Sequence, residues 1–356
     1  MTDDTTDQLT TDLRGLDLAA FHRWYDGERP GDLGADLRGR FLAGGKSNLT
    51  YEVTDGTTTR VVRRPPLGHV QATAHDMGRE HTVMSALAGT AVPVPQTYAM
   101  CRDTDVLGAE FYVMELVRGT PYRTADQLAE IGPEATGRLA GAMVDVLAAL
   151  HQVDPASVGL EELGRPQGFL ERQVRRWARQ LEGSSSRELP DAETLVTRLR
   201  EHVPAGDAEA VRAGIVHGDY RLDNLLADPA RVGSEVLAVV DWEMATLGDP
   251  LTDVALLLVY DRLSTITGGA AVADASRAPG YPGPDAILER YAAGGGLALD
   301  TLDFHLGLAY FKLAAILEGI HFRHQQGQTV GAGFDGVGEA VPTLLAAGLD
   351  ATRSLV

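Results

Sequence analysis

The sequence predicts an α+β chain in two lobes, a small N-terminal lobe built on an antiparallel sheet and a larger helical lobe after it. Three observations carry this reading. Residues 41–62 alternate apolar and polar side chains about an Asp55-Gly56 turn, the signature of a hairpin with one buried face. Beyond Gly119 the apolar residues recur at the helical period. Short apolar runs then return once, between Ile215 and Asp241, inside the helical half.

Taken in order, Leu13, Leu16, Leu18 and Phe21 suggest a short amphipathic helix packed on the main body. Leu49, Tyr51 and Val53 face Thr59 and Val61 across the turn. A helix is expected over 72–87, an extended breaker at Val92-Pro93-Val94-Pro95, and two further strands near 97–100 and 110–116. Helical periodicity then runs through 135–151 and 173–181, with the turn-rich GSSSRELPD between helices and a Gly/Pro/Ala-rich loop at 267–284. The expected domains are a helical extension over 1–39, a sheet lobe over 40–117 and a helical lobe over 118–356.

The 356 residues are 44% hydrophobic, enough to bury a sizeable core. A formal charge of -19 argues against nucleic-acid or anionic-membrane partners, which select basic surfaces. The apolar runs fall short of the roughly 18 residues that span a bilayer, and the acidic start MTDDTTDQLT is the reverse of a secretory signal, so a cytoplasmic location is expected. Cys101 stands alone and reads as a packing residue. Lys46 and Lys312 are the two lysines, so a phosphate-binding cation is expected to be arginine.

Gly45-Lys46-Ser47 resembles the end of a Walker loop, which needs a glycine five places before the Gly-Lys pair's glycine. That place holds Arg40, and the following Leu49-Thr50-Tyr51-Glu52-Val53 alternates like a strand rather than opening a helix. The Walker reading fails on spacing and on context.

The strongest pattern is Ile215-Val216-His217-Gly218-Asp219-Tyr220-Arg221-Leu222-Asp223-Asn224, followed by an apolar run that ends at Asp241-Trp242-Glu243. Phosphoryl transfer explains it, because that chemistry needs an acidic group to orient an attacking hydroxyl and oxygen ligands to hold Mg²⁺ on a nucleotide triphosphate. A loop supplies Asp219 and Asn224, and a neighbouring strand delivers Asp241.

The order resembles the protein-kinase catalytic order, and the glycine after His217 resembles the aminoglycoside phosphotransferase and choline kinase-like family. The run is most similar to kinase domains related to those fused to acyl-CoA dehydrogenases. The likeness extends from about Phe41 to His324 through GGKSN, VVRRPP, Arg79-Glu80, VPVP, FYVMELVRG, HGDYRLDN, DWE and GDPLTDVA. It implies a bilobal protein-kinase-like fold that uses ATP and Mg²⁺ to phosphorylate a hydroxyl of a small molecule.

Carried over by position, the resemblance implies Asp219 as catalytic base, Asn224 and Asp241 as magnesium ligands, and His217 and Asp253 as structural supports of the loop. Glu243 stands as a possible metal or substrate contact. For the nucleotide it implies Arg63 as the strand cation, with Glu80 on the following helix as its partner. Val61 would belong to the adenine ceiling, and the backbone of Glu115 and Val117 would meet the adenine edge. Gly44, Gly45, Lys46, Ser47 and Asn48 become a turn over the phosphates, Lys46 being dispensable. Trp177, Tyr220, Arg221, Tyr310, His321 and Arg323 are candidates for the acceptor pocket, none of them singled out by spacing.

The competing reading is a catalytically inactive nucleotide-binding pseudokinase serving as sensor or scaffold. It expects Asp219, Asn224 or Asp241 to be lost, and all three are present; the arginine in the strand-cation position is its support. A protein kinase is disfavoured because DWEMATLGDP is expected to enter a helix directly, without an activation segment.

Overall fold

Strands gather in the first part of the chain and helices in the rest. The computed structural model describes residues 8–42, 48–67, 76–184, 187–266, 274–328 and 336–355, so Gly44, Gly45, Lys46 and Ser47 lie outside the described residues. The described chain divides into two compact units. One comprises the residues up to Gly119 together with Leu237–Ala245, and the other comprises Thr120–Val236 and the residues from Thr246 onward.

In the first unit, α1 (Leu18–Glu28) starts where the Asp17 carboxylate accepts from the backbone N–H groups of Ala19 and Ala20. Strands β1 (Arg38–Phe41), β2 (Leu49–Thr54) and β3 (Thr59–Arg64) follow. Between β2 and β3, Asp55 Oδ1 accepts from Thr57 and Thr58, each at 2.7 Å, and Gly56 takes a φ of 92°, which a residue with a Cβ resists. Helix α2 (Met77–Leu87), β4 (Thr97–Cys101), the single turn α3 (Thr104–Leu107) and β5 (Phe111–Glu115) complete this run.

The sheet is antiparallel in the order β1-β2-β3-β5-β4. Phe21 and Tyr25 of α1, stacked at 5.4 Å, join Tyr51, Val53, Val62, Phe111 and Val113 in one core. The helix expected from Leu13 onward begins only at Leu18, after an isolated bridge between Leu13 and Leu16, and it packs into the body of this unit. Cys101 is buried in the same core.

The second unit is mainly helical. Helices α4 (Ala125–Ile131), α5 (Pro133–Gln152), α6 (Phe169–Glu182) and α7 (Pro190–Glu201) precede short strands β6 (Gly214–Val216) and β7 (Leu225–Ala227). The chain passes to the first unit within β8 (Val236–Val239) and returns at β9 (Thr246–Gly248), which pairs antiparallel with β6. Helices α8 (Leu251–Ile266), α9 (Pro284–Ala293), α10 (Leu302–Gln325) and α11 (Ala340–Ala351) follow. Long and apolar, α10 packs on α6, α7, α8 and α11.

DWEMATLGDP leads directly into a helix, as expected, since α8 begins at the residue after Pro250; the stretch itself holds two short elements that the sequence did not signal. A 3-10 turn at Trp242–Met244 and strand β9 intervene before α8 begins at Leu251. Three strand residues are too few to show a period, and their pairing with β6 is a contact distant in sequence. No helix among the described residues is long and apolar enough to cross a membrane.

Candidate active site

In the first unit the site is built on β3 and α2. The strand pairs Arg63 with Thr50 on one side and Tyr112 on the other. Alternation sends the two arginines to opposite faces. Arg64 donates to the carbonyl oxygens of Gly15 and of Leu107, the latter at 2.8 Å, and serves the core side. Arg63 instead places Nε 3.1 Å from Glu80 Oε2 and Nη2 2.6 Å from Asp241 Oδ1. Val61, two residues earlier, is buried.

Glu80 is 1% exposed and accepts the Tyr112 hydroxyl at 3.0 Å and the Asn48 amide at 3.2 Å. The same Asn48 nitrogen lies 3.2 Å from Glu243 Oε2. Against a burial that disfavours its charge, Arg63 is held above its ordinary range by Glu80, Tyr112, Asp241 and Glu243. Burial pushes the Glu243 carboxyl up to about 7, and Asp241 and Glu80 add to the push. Burial likewise raises Glu80, with Arg63 opposing.

Asp241 sits in the left-handed region at φ 68° and ψ 54°, ahead of the Trp242–Met244 turn. Glu80, Asp241 and Glu243 bring carboxylate oxygens within 4.8 Å of one another. Asn48 Oδ1 is buried and accepts no hydrogen bond. A cluster of hard oxygen donors with a buried orphan oxygen beside it is the donor chemistry that Mg²⁺ takes.

At the end of β5, Glu115 is exposed, donates its N–H to Gln96 O at 2.8 Å and accepts from the Gln96 N–H at 3.2 Å. Val117 O accepts from Gly119.

In the second unit the site is the loop between β6 and β7. Gly218 takes a φ of 87°, which lets the chain turn sharply after His217. Asp253, fully buried in the first turn of α8, accepts the His217 N–H at 2.7 Å on one oxygen and the Gly218 N–H at 2.8 Å on the other. Its Oδ2 also lies 3.4 Å from His151 Nε2, whose ring is fixed by Tyr291 at 2.7 Å. Burial works against the Asp253 charge, but His151, His217 and the Gly218 N–H hold its carboxyl below the ordinary range. His217 is buried, and its Nδ1 accepts the Asp219 N–H at 3.3 Å.

Asp219 keeps about a quarter of its side chain exposed, at 26%. Asn224, at the end of the 3-10 turn Leu222–Asn224, donates its amide to Asp219 O at 2.8 Å and to Asp219 Oδ2 at 3.1 Å. That fixes the Asn224 rotamer and leaves its amide oxygen as the ligating atom on offer. Arg221 lies 3.6 Å from Asp219 Oδ1 while pairing with Asp223 at 2.8 Å.

The structure thus joins Arg63, Glu80, Asn48, Asp241 and Glu243 in one cluster, and His217, Asp219, Asn224 and Asp253 in another. Tyr220 leaves the acceptor candidates, because its ring is fully buried and its hydroxyl donates to Met143 O at 2.8 Å. His151 and Lys312 belong to the loop's surroundings, a place that the sequence assigns to neither. Each lies on a helix whose apolar residues dominate the pattern, and the link to the loop appears only in three dimensions.

A Ralstonia eutropha protein assigned as an aminoglycoside phosphotransferase superposes with a TM-score of 0.80 at 32% identity, covering 94% of this chain and 98% of its own. An aminoglycoside phosphotransferase in ternary complex with AMP-PNP and hygromycin B shares the fold at a TM-score of 0.58 and 15% identity, covering 93% of this chain and 98% of its own. The fold is therefore bilobal and kinase-like. The model of the phosphotransferase enzyme family matches residues 38–290, and the chain belongs to that family. Acyl-CoA dehydrogenase family member 11 of Gallus gallus is 33% identical over 321 residues, 89% of this chain, which spans only 40% of that relative's length.

Proposed function

We propose that the chain is an ATP-dependent kinase that phosphorylates a hydroxyl group of a small molecule. The observation that carries this reading is the Asp219–Asn224 pair on a loop clamped by Asp253, with Asp219 partly exposed. A carboxylate so oriented is equipped to accept a proton from an alcohol as its oxygen attacks phosphorus.

In the proposed reaction the acceptor oxygen forms a bond to the γ-phosphorus while the bond to the β–γ bridging oxygen breaks. The hydroxyl proton passes to Asp219, and ADP leaves with the electron pair. Arg63 holds the nucleotide phosphates, its forked donors replacing the lysine more usual at such a strand, and Glu80 keeps it aimed. Asn48 would steady the phosphate-facing turn. Asn224 and Asp241 would hold Mg²⁺, and Glu243 stands beside them. When bound, the metal neutralises charge on the phosphates. Binding of the adenine edge falls to backbone groups at Glu115 and Val117, beneath Val61.

The test is transfer of labelled phosphate from ATP, with Mg²⁺, to pooled hydroxylated metabolites, aminoglycosides and acyl-CoA esters. Transfer that disappears in Asp219→Asn supports the reading.

A second reading, an inactive nucleotide-binding sensor, is favoured by one observation. Arg63 stands in place of a lysine and is ion-paired to Asp241. Tight ATP binding with transfer to no acceptor would decide for it.

A further inference from the structure

Helix α6 carries Arg176 and Trp177, and α10 carries Lys312, one of the chain's two lysines. Trp177 is 5% exposed, and both cations lie over its indole, Lys312 Nζ at 5.6 Å and the Arg176 guanidinium carbon at 5.0 Å from the ring centroid. Lys312 Nζ also donates to Gly218 O at 3.2 Å, the carbonyl directly before Asp219. This corner adjoins the loop that holds the proposed base.

Among the described residues, the cations of this corner have no carboxylate within ion-pair range, as is also true of Arg64 and Arg198, which bond carbonyl oxygens. Acidic residues outnumber basic ones, 50 to 31, and Arg63, Arg138, Arg187, Arg212, Arg221 and Arg290 each have a carboxylate within 4.0 Å. Neither Lys312 nor Arg176 has one among the described residues. An ammonium offers three donors, and the Gly218 carbonyl takes one of Lys312's. Burial lowers the Lys312 pKa, while Asp219 and Asp253 counter it from beyond ion-pair range. A half-buried cation with spare donors is stabilised by an anion brought beside it, more strongly than in open water.

We propose that Lys312 and Arg176, set about Trp177, form an oxyanion-binding site that selects hydroxyl acceptors carrying a carboxylate or phosphate group. The inference rests on the reading of Asp219 as the base. It sets the acceptor class apart from polycationic sugars and quaternary ammonium alcohols, which two adjoining positive charges repel. A purely structural Lys312, holding the Gly218 carbonyl alone, would affect every acceptor alike, whereas an oxyanion site changes the ratio between acceptors.

The experiment compares kcat/KM for matched acceptors: hydroxy carboxylates, hydroxyalkyl phosphates, the neutral methyl esters of the former, and an aminoglycoside. The anionic acceptors are expected to lead their neutral counterparts by about tenfold or more, a difference of roughly 1.4 kcal/mol. Lys312→Met should bring that ratio close to unity through KM, Lys312→Arg should restore most of it, and Arg176→Gln should reduce it partially. Preference for one anionic series over the other identifies the oxyanion. Equal or better use of neutral or cationic acceptors overturns the proposal, as does an unchanged ratio in a folded Lys312→Met protein.

Binding gives a reading that does not depend on turnover. With AMP-PNP present, calorimetric titration of 2-hydroxyethyl phosphate or a hydroxy carboxylate should show binding that weakens by about tenfold in Lys312→Met. Absence of binding by both anions at millimolar concentration also overturns it. Should Asp219→Asn leave turnover intact, the assignment of the base fails, while these titrations still judge the oxyanion site.

Discussion

Arg63 bridges two carboxylates, with Nη2 2.6 Å from Asp241 Oδ1 and Nε 3.1 Å from Glu80 Oε2. A metal on Asp241 competes with Arg63 for that oxygen, so binding of Mg-ATP should hand the guanidinium from Asp241 to the phosphates. Asp241→Ala is therefore expected to retain ATP binding without metal and to lose the gain in affinity that Mg²⁺ gives the wild type. Titration calorimetry with and without Mg²⁺ decides this, and metal stimulation that survives in the variant removes Asp241 as a ligand.

Removing the bridge itself should be destabilising. Arg63 is 11% exposed and Glu80 1%, and breaking a buried pair while leaving its carboxylates behind typically costs about 3–5 kcal/mol. Arg63→Met should lose on the order of 3 kcal/mol in urea denaturation and bind ATP much more weakly. Arg63→Lys should recover part of both, since it keeps the charge and loses the fork. A stable Arg63→Met protein with normal ATP affinity would refute the assignment.

Asp219→Asn keeps the shape of the loop and removes the proposed proton acceptor. Transfer should drop by about 10²–10⁴-fold, with ATP affinity little changed because the cluster proposed to bind the nucleotide lies elsewhere in the chain. Single-turnover phosphate transfer and equilibrium ATP binding separate the two effects.

Asp253→Asn places an amide where two backbone N–H groups converge on carboxylate oxygens at 2.7 and 2.8 Å. One donor then faces a donor, and a loss on the order of 3 kcal/mol is expected. The Asp253 pKa is lowered in the folded state, so its contribution is full above the unfolded value of about 3.9 and fades as pH falls through the folded one. The stability gap between wild type and variant should hold from pH 8 to 5 and narrow below about pH 4. Denaturation midpoints across that range measure it.

Asp261 behaves in the opposite sense. Burial pushes its carboxyl up to about 7, only partly relieved by Tyr281 and Ser276. Its folded state holds the proton longer than the unfolded chain does, so stability falls as pH rises from about 4 to 7. Asp261→Asn should raise the Tm at pH 8 and leave it unchanged near pH 4. Equal shifts at both values would show that the carboxyl is not titrating in this window.

Much of this architecture was legible because it rests on local signals. The hairpin of β2 and β3 follows from alternation and one Asp-Gly turn, and the long helices follow from their period. The family resemblance implies Arg63 and Glu80 as partners, and the structure pairs them. Strand β9 was missed because three residues carry no period. The bridge from Arg63 to Asp241 joins positions far apart in sequence, so no window contains both. Lys312 was hidden for a different reason. Its neighbours Phe311 and Leu313 mark core helix, and a single polar residue in such a run gives no sign of the carbonyl it will reach.

The left-handed backbone of Asp241, at φ 68°, sets durability against competence at one position. A residue with a Cβ pays roughly 1–2 kcal/mol to stand there, and glycine would not. Asp241→Gly therefore relieves that strain while it deletes the proposed metal ligand and the 2.6 Å partner of Arg63, so gain and loss fall on one position.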